Sequence, residues 1–339
     1  MGRMNPPKCD ELDYIHFLVA TQKVYSNTEA ARCHPAAGNG GPAHDAYTRL
    51  LHRCHSDGDA LWQEVQESVS LEDGMLIVDD STLDKFYARA MTPVYTGVTR
   101  HWSGKHRRVV QGINLITLLW TDGKACLPCD FRIYDKAHDQ LSKNDHFRAM
   151  IDTAAARGFR PRLVCFDSWY ASLENLKRLR SWQWRWLTQL KANRLVDVNR
   201  HGNRPLNEVL IPTHGLIVHL KGYGMIKVFQ IAAPNGGMEY WATDDLAMTL
   251  EQCADDALAA WRIEEYHRGI KQFCGVERAQ HRSAKAQRNH IGLALRAFLR
   301  LEVHRLRTGT FWFETKTAII REAVRAYLAH PLYTEISTA

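Results

Sequence analysis

Asp79 closes a short apolar run, Met75 to Val78, Asp167 closes a buried strand expected over Arg162 to Phe166, and Glu264 lies inside a long segment with helical spacing. Hard divalent cations prefer carboxylate oxygens, and two such cations about 4 Å apart stabilise both the attacking and the leaving oxygen of a phosphodiester. Three carboxylates on rigid elements are the smallest frame that holds them, and a residue at a strand end is exposed while its backbone stays fixed. An acid after a buried strand is, by itself, usually the first solvated residue. Three in this order, with cations around the last, point to phosphodiester chemistry. Glu264, Arg268 and Lys271 fall at i, i+4 and i+7 of a helix and share one face, so that a carboxylate can ligate metal while two cations contact phosphates. Taken alone, that trio reads more readily as an ordinary ion-paired surface helix.

The elements that must position these residues are legible in outline. Residues 10 to about 66 carry helical spacing with a Gly/Pro break at Gly38 to Pro42. Three short helices with a tight break fit a helix-turn-helix unit, with His44, Tyr47, Thr48 and Arg49 near the start of its last helix, and fit a plain helical cap as well. From Gly74 the pattern turns to strands at Met75–Val78, Val109–Trp120 and Ala125–Tyr134, then a helix at Asp145–Arg157, a strand ending at Phe166, a helix at Ala171–Arg180 and a strand at Trp184–Lys191. Turn residues and short β-like runs fill roughly 193 to 245, which reads as a β insertion. One long helix is expected from about Leu246 to Phe273, another from Ala284 to Leu306, and a last one from Thr315 to Leu328. The expected fold class is α/β. The division is a helical domain over 1–70, a catalytic domain over 71–310 and a helical segment over 311–339.

The 339 residues carry a formal charge of +7, which favours a polyanionic partner such as nucleic acid. From Ala259 to Arg307 there are eleven Lys or Arg against four acids, an excess that equals that of the whole chain. A solvated basic helix face would give the same signal. No apolar run approaches the ~20 residues needed to cross a bilayer, and the N-terminus lacks the apolar core of a signal peptide. The expectation is therefore a soluble intracellular protein with no membrane partner, its eight cysteines thiols. Cys126-Leu-Pro-Cys129 has no second pair at zinc-finger distance, and His52 and His55 form a lone cluster, so zinc is set aside.

Four ordered motifs carry a more specific signal. They are Leu76-Ile-Val-Asp-Asp-Ser-Thr-Leu-Asp-Lys85, His101-Trp-Ser-Gly-Lys105 with Gly112-Ile-Asn-Leu115, Val164-Cys-Phe-Asp-Ser-Trp-Tyr170, and Trp261-Arg-Ile-Glu-Glu-Tyr-His-Arg-Gly-Ile-Lys271. Over about residues 70 to 310 the chain closely resembles DDE transposases of bacterial insertion sequences, of the IS4 and IS701 groups. The resemblance implies a ribonuclease H-like core, a mixed sheet flanked by helices, with a β insertion before the glutamate helix. It implies Asp79, Asp167 and Glu264 as the metal-binding triad, with Asp80 as a neighbouring candidate for the first ligand. It also implies Mg2+, with Mn2+ able to substitute, and double-stranded DNA, both transposon ends and target, as partner. A homodimer in the synaptic complex and a place at the bacterial nucleoid, in the cytoplasm, go with it. The family's helix pattern places Tyr and Arg where this chain has Ala257 and Ala260.

Candidate DNA-contacting residues are Lys271, Arg268 and Arg262 on the glutamate helix, a basic loop of Lys105, Arg107 and Arg108, and Trp169 and Tyr170 as bases' stacking partners. The expected activity is hydrolysis at the transposon end followed by attack of the freed 3′ hydroxyl on target DNA. Two alternatives stand beside it. One is a transposase-derived DNA-binding protein that does not cut, motivated by Ala257 and Ala260. The other is a structure-selective nuclease with the same core.

Overall fold

The computed structural model describes residues 6–85, 98–103, 108–232 and 236–331, without the side chains of 101–103 and 136–137. The chain divides into two compact units, one made of residues 57–267 and the other of 1–56 with 268–339.

The 57–267 unit is built on a mixed sheet. Its strands are β1 (Met75–Asp84), β2 (Thr99–Ser103), β3 (Arg108–Thr121), β4 (Leu127–Tyr134), β5 (Leu163–Phe166) and β6 (Trp186–Leu190), followed by a small pair, β7 (Leu195–Val196) and β8 (Arg204–Pro205), and then β9 (Leu216–Leu220), β10 (Gly224–Ala232) and β11 (Met238–Thr243). Among the described residues the large sheet runs β2-β3-β1-β5-β6-β11-β10-β9, with β4 also on β3. β1 is antiparallel to β3 and parallel to β5, and β5 is parallel to β6. Two antiparallel neighbours followed by two parallel ones is the ribonuclease H-like order that the sequence led us to expect. The turn-rich stretch before the last helices extends this sheet, because β11 pairs antiparallel with β6.

Helices flank the sheet: α4 (Gly58–Val65), the short α5 (Lys136–Asp139), α6 (Lys143–Ala156), α7 (Leu173–Ser181), α8 (Leu250–Ala260) and α9 (Arg262–Phe273). The central strands are covered on both faces. Met75 to Val78 and Leu163 to Phe166 are all at most 4 % exposed, which is why they read as unbroken apolar runs instead of alternating ones. Phe166 meets Phe147 of α6, with ring centroids 5.1 Å apart, whereas α8 packs on β5 and β6 from the other side.

Two boundaries differ from expectation in ways that matter for the site. β1 does not stop at Asp79; it stays paired with β3 through Asp84, so Asp79 and Asp80 lie in mid-strand. The parallel pairing with β5 does stop, at Val78 with Phe166, so Asp79 and Asp167 are the next two residues on adjacent strands. The long helix expected up to Phe273 is broken at Trp261, whose N–H bonds back to Leu258 O, and Glu264 N–H to Trp261 O, each three residues away. Ala257 and Ala260 thus belong to α8, and Glu264 lies in the first turn of a new helix, α9.

The second unit joins α1 (Glu11–Ala20), α2 (Asn27–Cys33) and α3 (His44–Arg53) to the last helices, α10 (Ala284–Thr308) and α11 (Trp312–Ala329). α10 is buried nearly all round from Ala286 to Leu301, and ends at Gly309 in the left-handed region, φ 74°. Polar residues lock it in place. Asn289 donates to Leu51 O and Cys54 O at 2.8 Å each, closing the orphan carbonyls at the end of α3. His290 donates from Nε2 to Gly275 O at 3.0 Å and accepts from Tyr14 OH at 2.9 Å. Lys316 of α11 is 3 % exposed and donates to Thr21 O (2.7 Å), Leu18 O (3.3 Å) and Phe273 O.

Lys316→Met should cost about 2–3 kcal/mol in a urea unfolding experiment at pH 7, since three carbonyls lose their donor. Burial pulls the Lys316 ammonium from its ordinary 10.5 down to about 8. Between those values the unfolded chain holds a proton that the folded chain has released, so the stability that Lys316 contributes rises with pH. The gap between wild type and Lys316→Met should accordingly widen from about pH 8 to 10.5; a gap that narrows there would contradict this.

Candidate active site

Strand periodicity sorts the two adjacent aspartates onto opposite faces of the sheet. Asp80 faces α6. Its carboxylate accepts from Asn114 Nδ2 at 2.7 Å, Lys143 Nζ at 2.8 Å and Tyr170 OH at 2.8 Å. Lys143 is aimed there by local structure, because it is the first residue of α6, behind a capping box in which Ser142 and Asp145 satisfy each other's backbone N–H groups. Desolvation would raise the Asp80 carboxyl, but the Lys143 charge and the three donors outweigh it and hold it below the ordinary carboxylate value. Asp80 is a fully engaged anion.

Asp79 faces the other way, towards α9. Its antiparallel partner on β3, Thr117, has its hydroxyl 3.5 Å from that of Tyr266, which sets α9 over the β1–β3 pair at this level. The next residue, His267, is 5 % exposed and puts Nδ1 3.9 Å from Asp79 Oδ2. Glu264, one turn earlier on α9, completes a group. Asp79, Glu264 and His267 each offer one ligand atom, and these atoms lie within 4.8 Å of one another. Asp167 directly follows β5, just past the last pair, Val78 with Phe166, and its Oδ1 accepts from Trp169 N at 2.9 Å.

The electrostatics of this cluster are one-sided. Desolvation pushes the Asp79 carboxyl well above its ordinary value, and the negative charges of Asp80, Asp167 and Glu264 add to the effect. Asp167 is raised too, by desolvation first and the Asp80 charge in addition. Carboxylates gathered beyond the reach of enough cations repel one another, and a bound divalent ion is the usual relief. Two carboxylates and an imidazole on fixed backbone, with a third carboxylate alongside, are a donor set that fits such an ion.

Trp169 follows Asp167 and is 55 % exposed. Lys143 Nζ lies 5.5 Å from its ring centre and Lys191 Nζ 5.7 Å. It edges an open groove of about 500 Å³ whose lining includes Ser168, Lys191, Arg194 and Lys221. Tyr170 is fully buried instead, stacked on Phe147 at 5.4 Å with its hydroxyl on Asp80, so no base can reach it.

The other candidate residues are dispersed. Arg262 donates from Nε to Gly123 O at 3.1 Å and pairs with Glu265. Lys271 pairs with Glu277 at 3.3 Å, and Arg268 and Arg108 are exposed. Lys105 and Arg107 lie outside the described residues. The basic C-terminal segment is in part consumed internally, Arg296 by Glu11 and Arg305 by the fully buried Glu302. None of the eight cysteines is in a disulfide, and Cys126 and Cys129 are buried in the core.

His267, Lys143, Lys191, Arg194 and Lys221 were not singled out by sequence reasoning. Only His267 had a usable signal, its spacing of three from Glu264 on one helix face.

The model of the family described as transposase DDE domain matches residues 73–300, a span that begins just before β1 and ends within α10. A cryo-EM structure of a piggyBac transposase synaptic complex with hairpin DNA superposes with a TM-score of 0.52 at 11% sequence identity, covering 98% of this chain and 74% of that one. Likeness at that identity speaks to fold alone. No curated protein matches the chain in sequence. Among the described residues, no helix is long and apolar enough to cross a membrane.

Proposed function

Because this chain belongs to the transposase DDE domain family, we propose that it cuts DNA at insertion-sequence ends and joins the freed ends to target DNA, with Asp79, Asp167 and Glu264 holding Mg2+ or, in its place, Mn2+. The observation that supports this best is that Asp79 and Glu264 offer ligand atoms within 4.8 Å of one another, with burial first and the charges of Asp80, Asp167 and Glu264 second pushing the Asp79 carboxyl well above its ordinary value. Divalent cations bound there would neutralise charge on the phosphorane and lower the pKa of the attacking hydroxyl.

The chain's own residues do the rest. Asp79 feels the charges of both Asp167 and Glu264, and the three carboxylates would together hold the cations. Asp80 anchors β1 through Asn114, Lys143 and Tyr170, and so fixes where Asp79 stands. Trp169 offers an exposed ring face to an unstacked base, and Lys191, Arg194 and Lys221 follow the phosphates of the strand beside it. Arg108, Arg262, Arg268 and Lys271 are the further phosphate contacts, with Lys105 and Arg107 in the same role. Transposon ends and target are double-stranded DNA, and synapsis of two ends makes a homodimer the working assembly.

Trp169→Ala should weaken binding to a duplex with an unpaired or hairpin end by about 5- to 150-fold, the worth of one lost base stack of ~1–3 kcal/mol, and leave a blunt paired duplex nearly unaffected. Fluorescence anisotropy reads both; an equal loss on the two substrates would remove Trp169 from this role. Lys191→Ala, Arg194→Ala and Lys221→Ala should each flatten the salt dependence of binding by roughly one counterion. A strand-transfer product with a second duplex separates a transposase from a nuclease, and Mg2+-dependent nicking separates both from a protein that only binds.

A further inference from the structure

His267 belongs to neither the acidic triad nor the DNA-contacting residues, yet it is buried at 5 % exposure against both Asp79 and Glu264. Its Nδ1 is 3.9 Å from Asp79 Oδ2, beyond hydrogen-bond reach and within the spacing of two ligands on one cation. Ligand atoms at about 2.1 Å from a shared cation stand roughly 3 Å apart when adjacent and 4.2 Å apart when opposite, and the atoms of this group lie within 4.8 Å, so small side-chain movements close them on one ion. Glu and His three residues apart on a helix also form the unit by which helical di-metal carboxylate sites present one carboxylate and one imidazole to the same metal.

The geometry points to His267 as a metal ligand: of two cations, one is held by Asp79 and Glu264 together with an imidazole nitrogen of His267, and the other by the oxygens of Asp79 and Asp167. Mg2+ takes oxygen ligands and gives up water reluctantly, whereas first-row transition ions accept imidazole readily. The nitrogen-containing position therefore selects Mn2+, or a later ion of that row, over Mg2+, and the all-oxygen position does not. The two positions fill with different ions when both are supplied. This rests on the reading that Asp79, Asp167 and Glu264 hold cations, and adds to it the identity of a fourth ligand and a metal preference.

The test uses the full chain without DNA, loaded with Mn2+ and followed by pulsed electron paramagnetic resonance. Wild type should show the 14N modulation of a directly bound imidazole, and protein grown with 15N-histidine should show it replaced by the 15N pattern, which needs no variant. His267→Gln, checked for folding by circular dichroism, should lose the nitrogen signal, and competition titration should show its preference for Mn2+ over Mg2+ reduced about tenfold. Mn2+ that binds in an Asp79-dependent way with no histidine nitrogen signal would overturn the role of His267 and leave the carboxylate triad standing. Failure of Mn2+ and Mg2+ alike to bind in an Asp79-dependent way would overturn the triad itself.

Discussion

Asp79→Asn, Asp167→Asn and Glu264→Gln should each lower end cleavage by about three orders of magnitude or more while leaving the affinity for end DNA within a few fold. A divalent cation supplies several kcal/mol of charge stabilisation to a reacting phosphate, and each 1.4 kcal/mol is about tenfold in rate. Amide replacements keep the shape of the side chain but remove the charge that holds the ion. On the proposed reading DNA is held chiefly by the groove beside Trp169, so binding should survive. A gel shift with a nicking assay on the same samples measures both. The same substitution has a second, opposite consequence without metal. Asp79 is burdened by its own desolvation and by Asp80, Asp167 and Glu264, so Asp79→Asn should raise the stability of the metal-free protein by about 1–3 kcal/mol. A variant that is inactive and more stable is what a site kept for chemistry at the expense of the fold would give.

Asp80→Ala should do the reverse. It leaves Lys143, Asn114 and Tyr170 without the carboxylate they all contact, and removing one partner of a partly buried ionic network costs about 3–5 kcal/mol. Urea unfolding should show that loss, with activity falling because β1 is no longer held. Lys143→Met in the Asp80→Ala background should then cost much less than in wild type, since the two act as a pair. Equal, additive losses would mean that the network is not a unit. The contrast between neighbours is the sharper expectation: removing the Asp80 carboxylate should destabilise the fold, and neutralising the Asp79 carboxylate should stabilise it in the absence of metal.

Much of this was written in the chain. The run Met75 to Val78 and the run ending at Phe166 stand out because strands buried on both faces need apolar residues at every position. What one-dimensional pattern could not show was where pairing ends. β1 continues to Asp84 because its polar half, Asp79 to Thr82, pairs with Leu115 to Thr117 and beyond on β3, and such a half-polar strand looks like a loop in sequence. The break at Trp261 was hidden for a similar reason. Ala, Leu, Arg and Glu on both sides are good helix formers, so the change of hydrogen-bond partner leaves no mark in composition.

The site was half legible. Asp79, Asp167 and Glu264 could be marked from strand ends and motif order, and the sheet does bring the first two side by side. His267 and Lys143 were not marked, since a single polar residue in an amphipathic helix declares its role only when the partner element is in place. Part of the basic segment's charge is met internally, since Arg296, Arg305 and Lys271 pair with acids, whereas Lys191, Arg194 and Lys221, which line the groove beside Trp169, lie well before that segment.

The central claim is that carboxyls at 79, 167 and 264 act on DNA through shared cations. Purified protein should be incubated with a linear duplex carrying the DNA that borders its own coding sequence, in Mg2+, in Mn2+ and in EDTA, and the products mapped on a denaturing gel. Nicks that end in a 3′ hydroxyl at one defined position, formed with either metal and absent with EDTA or with Asp79→Asn, are the expected result. A duplex that is bound tightly by the folded protein and stays intact in both metals would contradict it.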